Sequence, residues 1–220
     1  EDDNLGEKQD VASSRALFER RAQTADQALA ILNIYVPEKK GMLDSLAGKP
    51  LVEKELFEKA AENQDQYMAT ASRIVTLDKQ IAESKAAVLK VQNQVEALVP
   101  WLSLTVPVSY TGTQKTAVLI GTMPNPQDQQ SILNLLAGAV PDVEAVDVEL
   151  ISTDKDFTYL AVICMKQDAG KVEEVLRTGG FSKPSSPVQK IPEEYKKDLE
   201  AEIAKAQEQA KQLENELAEC

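Results

Sequence analysis

The sequence predicts an α+β protein: a long antiparallel helical coiled coil that carries a ferredoxin-like βαββαβ lobe. Three observations lead there. Between Glu53 and Leu98, apolar residues recur at alternating steps of three and four with no Pro or Gly between them. The same rhythm appears before this stretch, in 18–36, and after it, in 199–217. From 100 to 190 the period changes to short apolar runs separated by Gly, Pro and Asp.

The first domain, 11–99, reads as a helical hairpin and long coiled-coil helix. Phe18, Ala22, Ala25, Leu29, Leu32 and Val36 set the seam of its first helix. PEKKGMLDSLAGKP (37–50) is rich in turn residues and leads into the long helix. The long seam runs Leu56, Ala60, Asn63, Tyr67, Thr70, Ile74, Leu77, Ile81, Ser84, Val88, Val91, Val95 and Leu98. Such a helix is about 69 Å long at 1.5 Å per residue. One narrow stripe cannot bury itself, so partners are needed along most of that length. Pro100 disfavours an α conformation at Val99 and stops the helix. Trp101, the single tryptophan, then fills the gap between helix end and lobe. We read Pro100 and Trp101 as a structural junction.

The α/β lobe spans 100–190. KTAVLIGT (115–122) is a continuous apolar run and reads as a buried strand. NPQDQQSILNLLAG (125–138) reads as a helix with Asn125 as N-cap, Pro126 in the first turn and Gly138 as the stop. VEAVDVEL (143–150) alternates and reads as a one-sided edge strand; DFTYLAVICM (156–165) is again apolar. DAGKVEEVLRTGG (168–180) reads as a second helix, Asp168 to Gly179 or Gly180, and FSKPS (181–185) as a last short strand. The split βαβ topology puts the first and third strands at the centre. Both faces of these strands are apolar, Val118 and Ile120 against Ala117 and Leu119, Tyr159 and Ile163 against Leu160 and Val162. Helices cover one face. Either the segment 102–114 or a partner protein covers the other.

The third domain, 191–220, is a returning coiled-coil helix. Pro192 needs no N–H partner in the first turn, and Glu193 and Glu194 suit the positive helix end. Leu199, Ile203, Ala206, Ala210, Leu213 and Leu217 form its seam, with Glu202, Lys205, Glu208, Lys211 and Glu214 on the outer side.

Composition narrows function. A net charge of −12 argues against nucleic acid as a partner and against docking on an anionic membrane surface. There is no histidine, which removes the commonest general base and metal ligand. Cys164 lies in an apolar run and Cys220 is the last residue, so neither a disulfide framework nor a zinc site is expected. TGTQKT (111–116) has one glycine and precedes a strand, whereas a phosphate loop has two and precedes a helix. No nucleophile or convergent acid–base pair is visible. We therefore expect no catalysis, no cofactor and no metal. No apolar run approaches the roughly 20 residues of a membrane helix. The chain opens Glu-Asp-Asp without Met, and the last helical pattern runs straight into Cys220. Both ends read as cut.

Four stretches carry a family likeness: Pro100-Trp101, Gly121-Thr122-Met123-Pro124, the strand start from Asp154 to Leu160, and Gly180-Phe181. In order, with the flanking helices, they make nearly the whole chain resemble the cytoplasmic part of V-type ATP synthase subunit I, the counterpart of subunit a in vacuolar and archaeal-type ATPases. The resemblance implies a non-catalytic stator segment on the cytoplasmic side of the membrane, with 100–190 as the distal lobe. It implies peripheral stalk subunits E and G (H in some naming) as partners. It also implies a further C-terminal membrane domain facing the rotor ring. No ion-path residue of that domain maps onto this sequence. The candidate stalk interface is the strand edge at Asp147 and Glu149 and the first lobe helix at Gln129. A monomer is expected. The rival is a free-standing coiled-coil adaptor or signalling dimer whose lobe binds a small ligand.

Overall fold

The computed structural model describes residues 11–37, 52–185 and 187–220. The chain divides into two compact units: Glu1–Val88 with Lys205–Cys220, and Leu89–Ala204.

The first unit is helical. It holds α1 (Val11–Tyr35), α2 (Lys54–Glu62), the first part of α3 (Gln64–Leu98) and the last part of α6 (Pro192–Ala218). Ala28 and Ile31 of α1, Ile74, Leu77 and Ile81 of α3, and Leu217 of α6 are buried together. Arg73 pairs with Glu216, and Lys85 with Glu214 at 2.7 Å, so α6 is tied to α3 by charge as well as by packing, and Glu214, expected on the outer side, is turned to α3 instead.

Four expectations change here. The long helix is not continuous: Asn63 separates α2 from α3. Its side-chain amide donates to the Lys59 carbonyl at 2.8 Å, which competes with the helical ladder. The seam is buried only from Ile74 onward; Leu56 and Tyr67 are exposed, and α2 has no buried residue.

On α1 the buried stripe lies one residue off the expected phase. Ala28 and Ile31 are buried, with Tyr35 half-buried, while of the expected seam Phe18, Leu29 and Val36 are exposed, Ala25 is half-buried and Leu32 packs at the margin of the cluster. Ala28 lets the helices approach closely, and longer polar residues reach across. Arg21 pairs with Asp65 at 3.2 Å, and the Tyr35 hydroxyl donates to Asp78 at 3.3 Å.

Those two cross-links advance in the same chain direction, so α1 lies parallel to α3 instead of forming a hairpin with it. The hairpin expectation assumed a short return. About 18 residues at ~3.3 Å each reach ~60 Å, more than the ~37 Å of α1, so the connection permits either sense. Residues 38–50 of the turn-rich stretch lie outside the described residues. Antiparallel packing belongs to α3 and α6: Leu77 shares a cluster with Leu217, Leu98 with Leu199. The seam expected on α6 is the one turned inward, with Leu199, Ala210 and Leu217 buried.

The second unit is the α/β lobe with the adjoining parts of α3 and α6. Its sheet has three antiparallel strands in the order β1-β3-β2: β1 (Thr116–Pro124), β2 (Val146–Thr153) and β3 (Phe157–Met165). β3 is central and β2 is an edge, as their patterns predict. The fourth strand is reduced to one antiparallel bridge, Thr122 with Ser182, whose two hydrogen bonds are each 2.9 Å. Pro184 and Pro187 follow and lack the N–H a ladder needs. β1 is therefore an outer strand of the sheet.

Helices α4 (Gln129–Ala139) and α5 (Ala169–Thr178) cover one face. Ile132, Leu136, Val172 and Leu176 meet Leu119, Val148, Leu160 and Val162 there. The other face is covered by the chain itself: Trp101, Leu104 and Val108 bury Ile120 and Ala161.

The α4 start differs from expectation. Asp128 is the N-cap, accepting from the Ser131 N–H at 2.7 Å. A start at Asn125 is prevented because the preceding turn is bound elsewhere. Asn125 sits at φ 64°, and the buried Thr158 hydroxyl donates to its carbonyl at 2.9 Å and accepts from the Gln127 N–H at 2.8 Å. Nor does Gly138 stop α4, which runs on to Ala139.

Candidate docking surface of the lobe

The junction is built from the end of α3 and the non-helical face of the sheet. α3 ends at Leu98, and Val99–Trp101 form a 3-10 turn. The indole of Trp101 meets the Tyr159 ring edge to face, centroids 5.1 Å apart at 88°. Two hydroxyls pin this turn to β2: Ser152 donates to the Pro100 carbonyl at 2.8 Å and Ser103 to the Ile151 carbonyl at 3.1 Å. The Tyr159 hydroxyl donates in turn to Asp154 at 3.0 Å. Asp154 also accepts the N–H groups of Asp156 and Phe157, each at 2.8 Å, and these hold its carboxyl below the ordinary carboxylate range. Burial, followed by the Asp154 contact, pushes the Tyr159 hydroxyl up.

Two of the three candidate interface residues converge on one residue of the outer strand. Gln129, at the start of α4, donates its amide to the carbonyl of Val148. Asp147 accepts the Val148 N–H at 2.8 Å. Both backbone groups of Val148 are thus closed by side chains at the free edge of β2, which blunts that edge against strand addition. Glu149 stands beside them, exposed, on the face opposite Val148. Neither Asp147 nor Glu149 has an ion partner among the described residues. The result is an acidic corner at a strand edge whose Val148 backbone groups are already taken.

No family model matches the chain, and no curated protein matches it. Among solved structures the chain is similar to the crystal structure of the cytoplasmic N-terminal domain of subunit I, homolog of subunit a, of V-ATPase. The TM-score is 0.49 and the identity 14%, over 94% of this chain and 65% of that one. The chain thus spans about two thirds of the length of the structure it matches.

Several residues that organise the lobe carry no plain signal. Gly121 is one: a β-carbon there would lie 2.4 Å from the Ser182 carbonyl oxygen and 2.5 Å from the Phe181 ring. The two glycine motifs, Gly121 to Pro124 and Gly180-Phe181, are therefore halves of one contact. Gly180, at φ 94°, lies against Pro124. Asp154 was more legible, since an Asp two and three residues before backbone donors is the signature of a side-chain-closed turn.

TGTQKT closes on itself. Gly112 sits at φ 109°, and the Thr113 hydroxyl takes the N–H groups of Lys115 and Thr116 at 3.2 and 3.1 Å, so those amides do not face a ligand. Burial pushes the Cys164 thiol up, away from the reactive thiolate. No group of three or more candidate metal ligands occurs among the described residues, and no helix among them is long and apolar enough to cross a membrane.

Proposed function

We propose that the chain is a non-catalytic stator segment of a rotary V-type ATPase or ATP synthase. It would lie on the cytoplasmic side of the membrane and link peripheral stalk subunits E and G (or H) to an ion-translocating membrane sector. The observation that carries the reading is an α/β lobe inserted between helices that pair antiparallel, α3 and α6, together with the ordered sequence motifs that resemble subunit I. The single bridge at Ser182 supports reading the lobe as a ferredoxin-like βαββαβ unit whose fourth strand is cut short by proline.

The mechanics suit the role. A stator carries the reaction to rotor torque, and a loop would absorb that torque as slack. Interlocked seams reinforced by Arg73–Glu216 and Lys85–Glu214 resist sliding of one helix along the other. The acidic corner at Gln129, Asp147 and Glu149 is the proposed stalk contact.

The test is binding of the full chain to the E–G stalk encoded by the same genome. Wild type should bind, and Asp147→Lys with Glu149→Lys should lower affinity at least tenfold while the circular dichroism spectrum is unchanged. Absence of binding by wild type removes the stator reading; unchanged affinity in the double variant moves the contact elsewhere.

A second reading has one observation in its favour. A groove of about 290 Å³, lined by Val108, Tyr110, Val118, Ile120, Pro184 and Pro187, runs along the outer side of β1. A ligand-sensing adaptor needs such a site. That reading requires a dimer and the stator reading a monomer, so sedimentation equilibrium separates them.

A further inference from the structure

The outer edge of β1 is closed on either side of Ile120 and open at Ile120 itself. In an antiparallel sheet the backbone groups of alternate residues point to opposite neighbours. Val118 donates its N–H to the Thr111 carbonyl at 3.0 Å, and Thr122 exchanges two hydrogen bonds of 2.9 Å with Ser182. The even-numbered residues of β1 therefore face away from β3. The N–H and carbonyl of Ile120 point outward with them, and neither meets a hydrogen-bond partner among the described residues. Ile120 is only 5% exposed, and a residue buried to that degree ordinarily has both backbone groups paired.

Two segments approach this position, and both are turned away from it. Continuing the Thr122–Ser182 register by two residues puts Pro184 opposite Ile120, and proline has no N–H to give. Continuing the Gly112–Ala117 register by three puts Ser109 there, but the Ser109 N–H donates to the Val188 carbonyl at 3.1 Å. Between the two diverging segments lies the groove of about 290 Å³, walled by Val108, Tyr110, Val118, Pro184 and Pro187.

We propose that this groove receives one apolar residue of a neutral, extended peptide segment of another protein, which pairs its own N–H and carbonyl with those of Ile120. The open pair specifies the backbone of the occupant. An extended residue offers one donor and one acceptor on the same edge, whereas a carboxylate brings acceptors only and leaves the Ile120 carbonyl unpaired. The walls specify its side chain. A residue opposite Ile120 turns its side chain to the same sheet face, where Val108 and Val188 pack around Ile120. Charge specifies neutrality: the charged residue of the lining, Lys183, is already held by Glu173 at 2.8 Å. Length is limited too. Thr111 and Ser182 occupy the next edge positions, so the pairing stops after one residue, and the groove is at the small end of ligand pockets, which span about 300–1,000 Å³.

The site depends on the edge of β1 alone, so the stalk and sedimentation tests can fail while it stands. The probe is N-acetyl-leucine N-methylamide, titrated into the full isotope-labelled chain by NMR. The Ile120 amide proton should move downfield and saturate. Methylating the leucine nitrogen removes the donor to the Ile120 carbonyl, and exchanging leucine for glycine removes the side chain; each change should weaken binding at least tenfold. Tyr110→Ala removes a half-buried wall and should weaken binding at least threefold, with Trp101 fluorescence reporting that the lobe is folded. An Ile120 amide that does not move overturns the proposal, because the groove then holds only solvent. Equal affinity for the leucine probe and its N-methyl form overturns it as well, since the groove is then an apolar slot without strand pairing. So does equal binding by wild type and Tyr110→Ala, which puts the probe elsewhere.

Discussion

Gly121→Ala tests how the lobe is closed. The added methyl would sit 2.4 Å from the Ser182 carbonyl oxygen and 2.5 Å from two carbons of the Phe181 ring. Ordinary contacts begin about an ångström further out, and neither neighbour is a free side-chain end. Ser182 is held by its bridge to Thr122, and Phe181 is buried in the lobe core. Relief therefore means moving 181–182 off β1. Overpacking of this kind costs about 1–3 kcal/mol. Loss of the two bridge hydrogen bonds adds about 0.5–1.5 kcal/mol each. The expected destabilisation is about 2–6 kcal/mol.

Trp101 makes this measurable, since it is the sole tryptophan and belongs to the same unit. Urea unfolding followed by its fluorescence should show a midpoint lowered by roughly 1–3 M, given slopes of about 1–3 kcal/mol per M. Gly138→Ala is the matched control. Nothing lies within 4 Å of a β-carbon there, and the residue is inside α4, so alanine should stabilise by about 0.5–1 kcal/mol. A Gly121→Ala midpoint equal to wild type would refute the argument that Gly121 exists to admit Phe181 and Ser182.

Three further outcomes follow from the same geometry. Thr158→Val removes the hydroxyl that holds Asn125 and Gln127 while keeping the shape; leaving the Gln127 N–H and Asn125 carbonyl unpaired should cost about 1–3 kcal/mol in the same fluorescence assay. Leu77→Ala opens a cavity at a fully buried position among α1, α3 and α6 and should cost about 2–5 kcal/mol, read by circular dichroism at 222 nm. Asp154 has a lowered pKa in the folded state, so its stabilisation is complete above the ordinary carboxylate value of about 3.9 and disappears as pH falls through the folded value. Asp154→Asn should therefore lower the urea midpoint at pH 7 and shrink the wild-type loss between pH 7 and pH 2; an unchanged acid profile would exclude this carboxylate as a contributor.

The lobe was legible because its signals are local and agree with one another. An apolar run of eight residues bounded by Lys115 and Pro124 has few alternatives to a buried strand. The alternation Val146, Asp147, Val148, Glu149 places β2 at an edge before any coordinate is known. What failed there were boundaries set by distant partners. Asn125 has ideal cap chemistry, yet Thr158, from the other end of the β2–β3 hairpin, binds the turn first. The last strand is cut to the Thr122–Ser182 bridge because Pro184 and Pro187 lack the N–H a ladder needs, a signal that is present in the sequence. The candidate interface was partly legible. Acidic residues at a strand edge mark the location, but their convergence with Gln129 on the backbone of Val148 requires α4 to be docked first.

Phase was illegible in α1 for a different physical reason. The helix carries two stripes at the same spacing. Phe18 to Val36 is the more apolar, while Arg21, Thr24, Ala28, Ile31 and Tyr35 looks like the poorer core. Apolar count favours the first. The structure takes the second, because Ala28 lets α1 approach α3 closely and because Arg21 and Tyr35 end on Asp65 and Asp78. Long polar side chains at a seam margin bury their stems and keep their heads solvated, so they are compatible with an inner stripe that a count of apolar residues rejects. Leu32, from the more apolar stripe, still packs against the cluster of α1, α3 and α6, so the two stripes share a margin while Phe18, Leu29 and Val36 stay exposed.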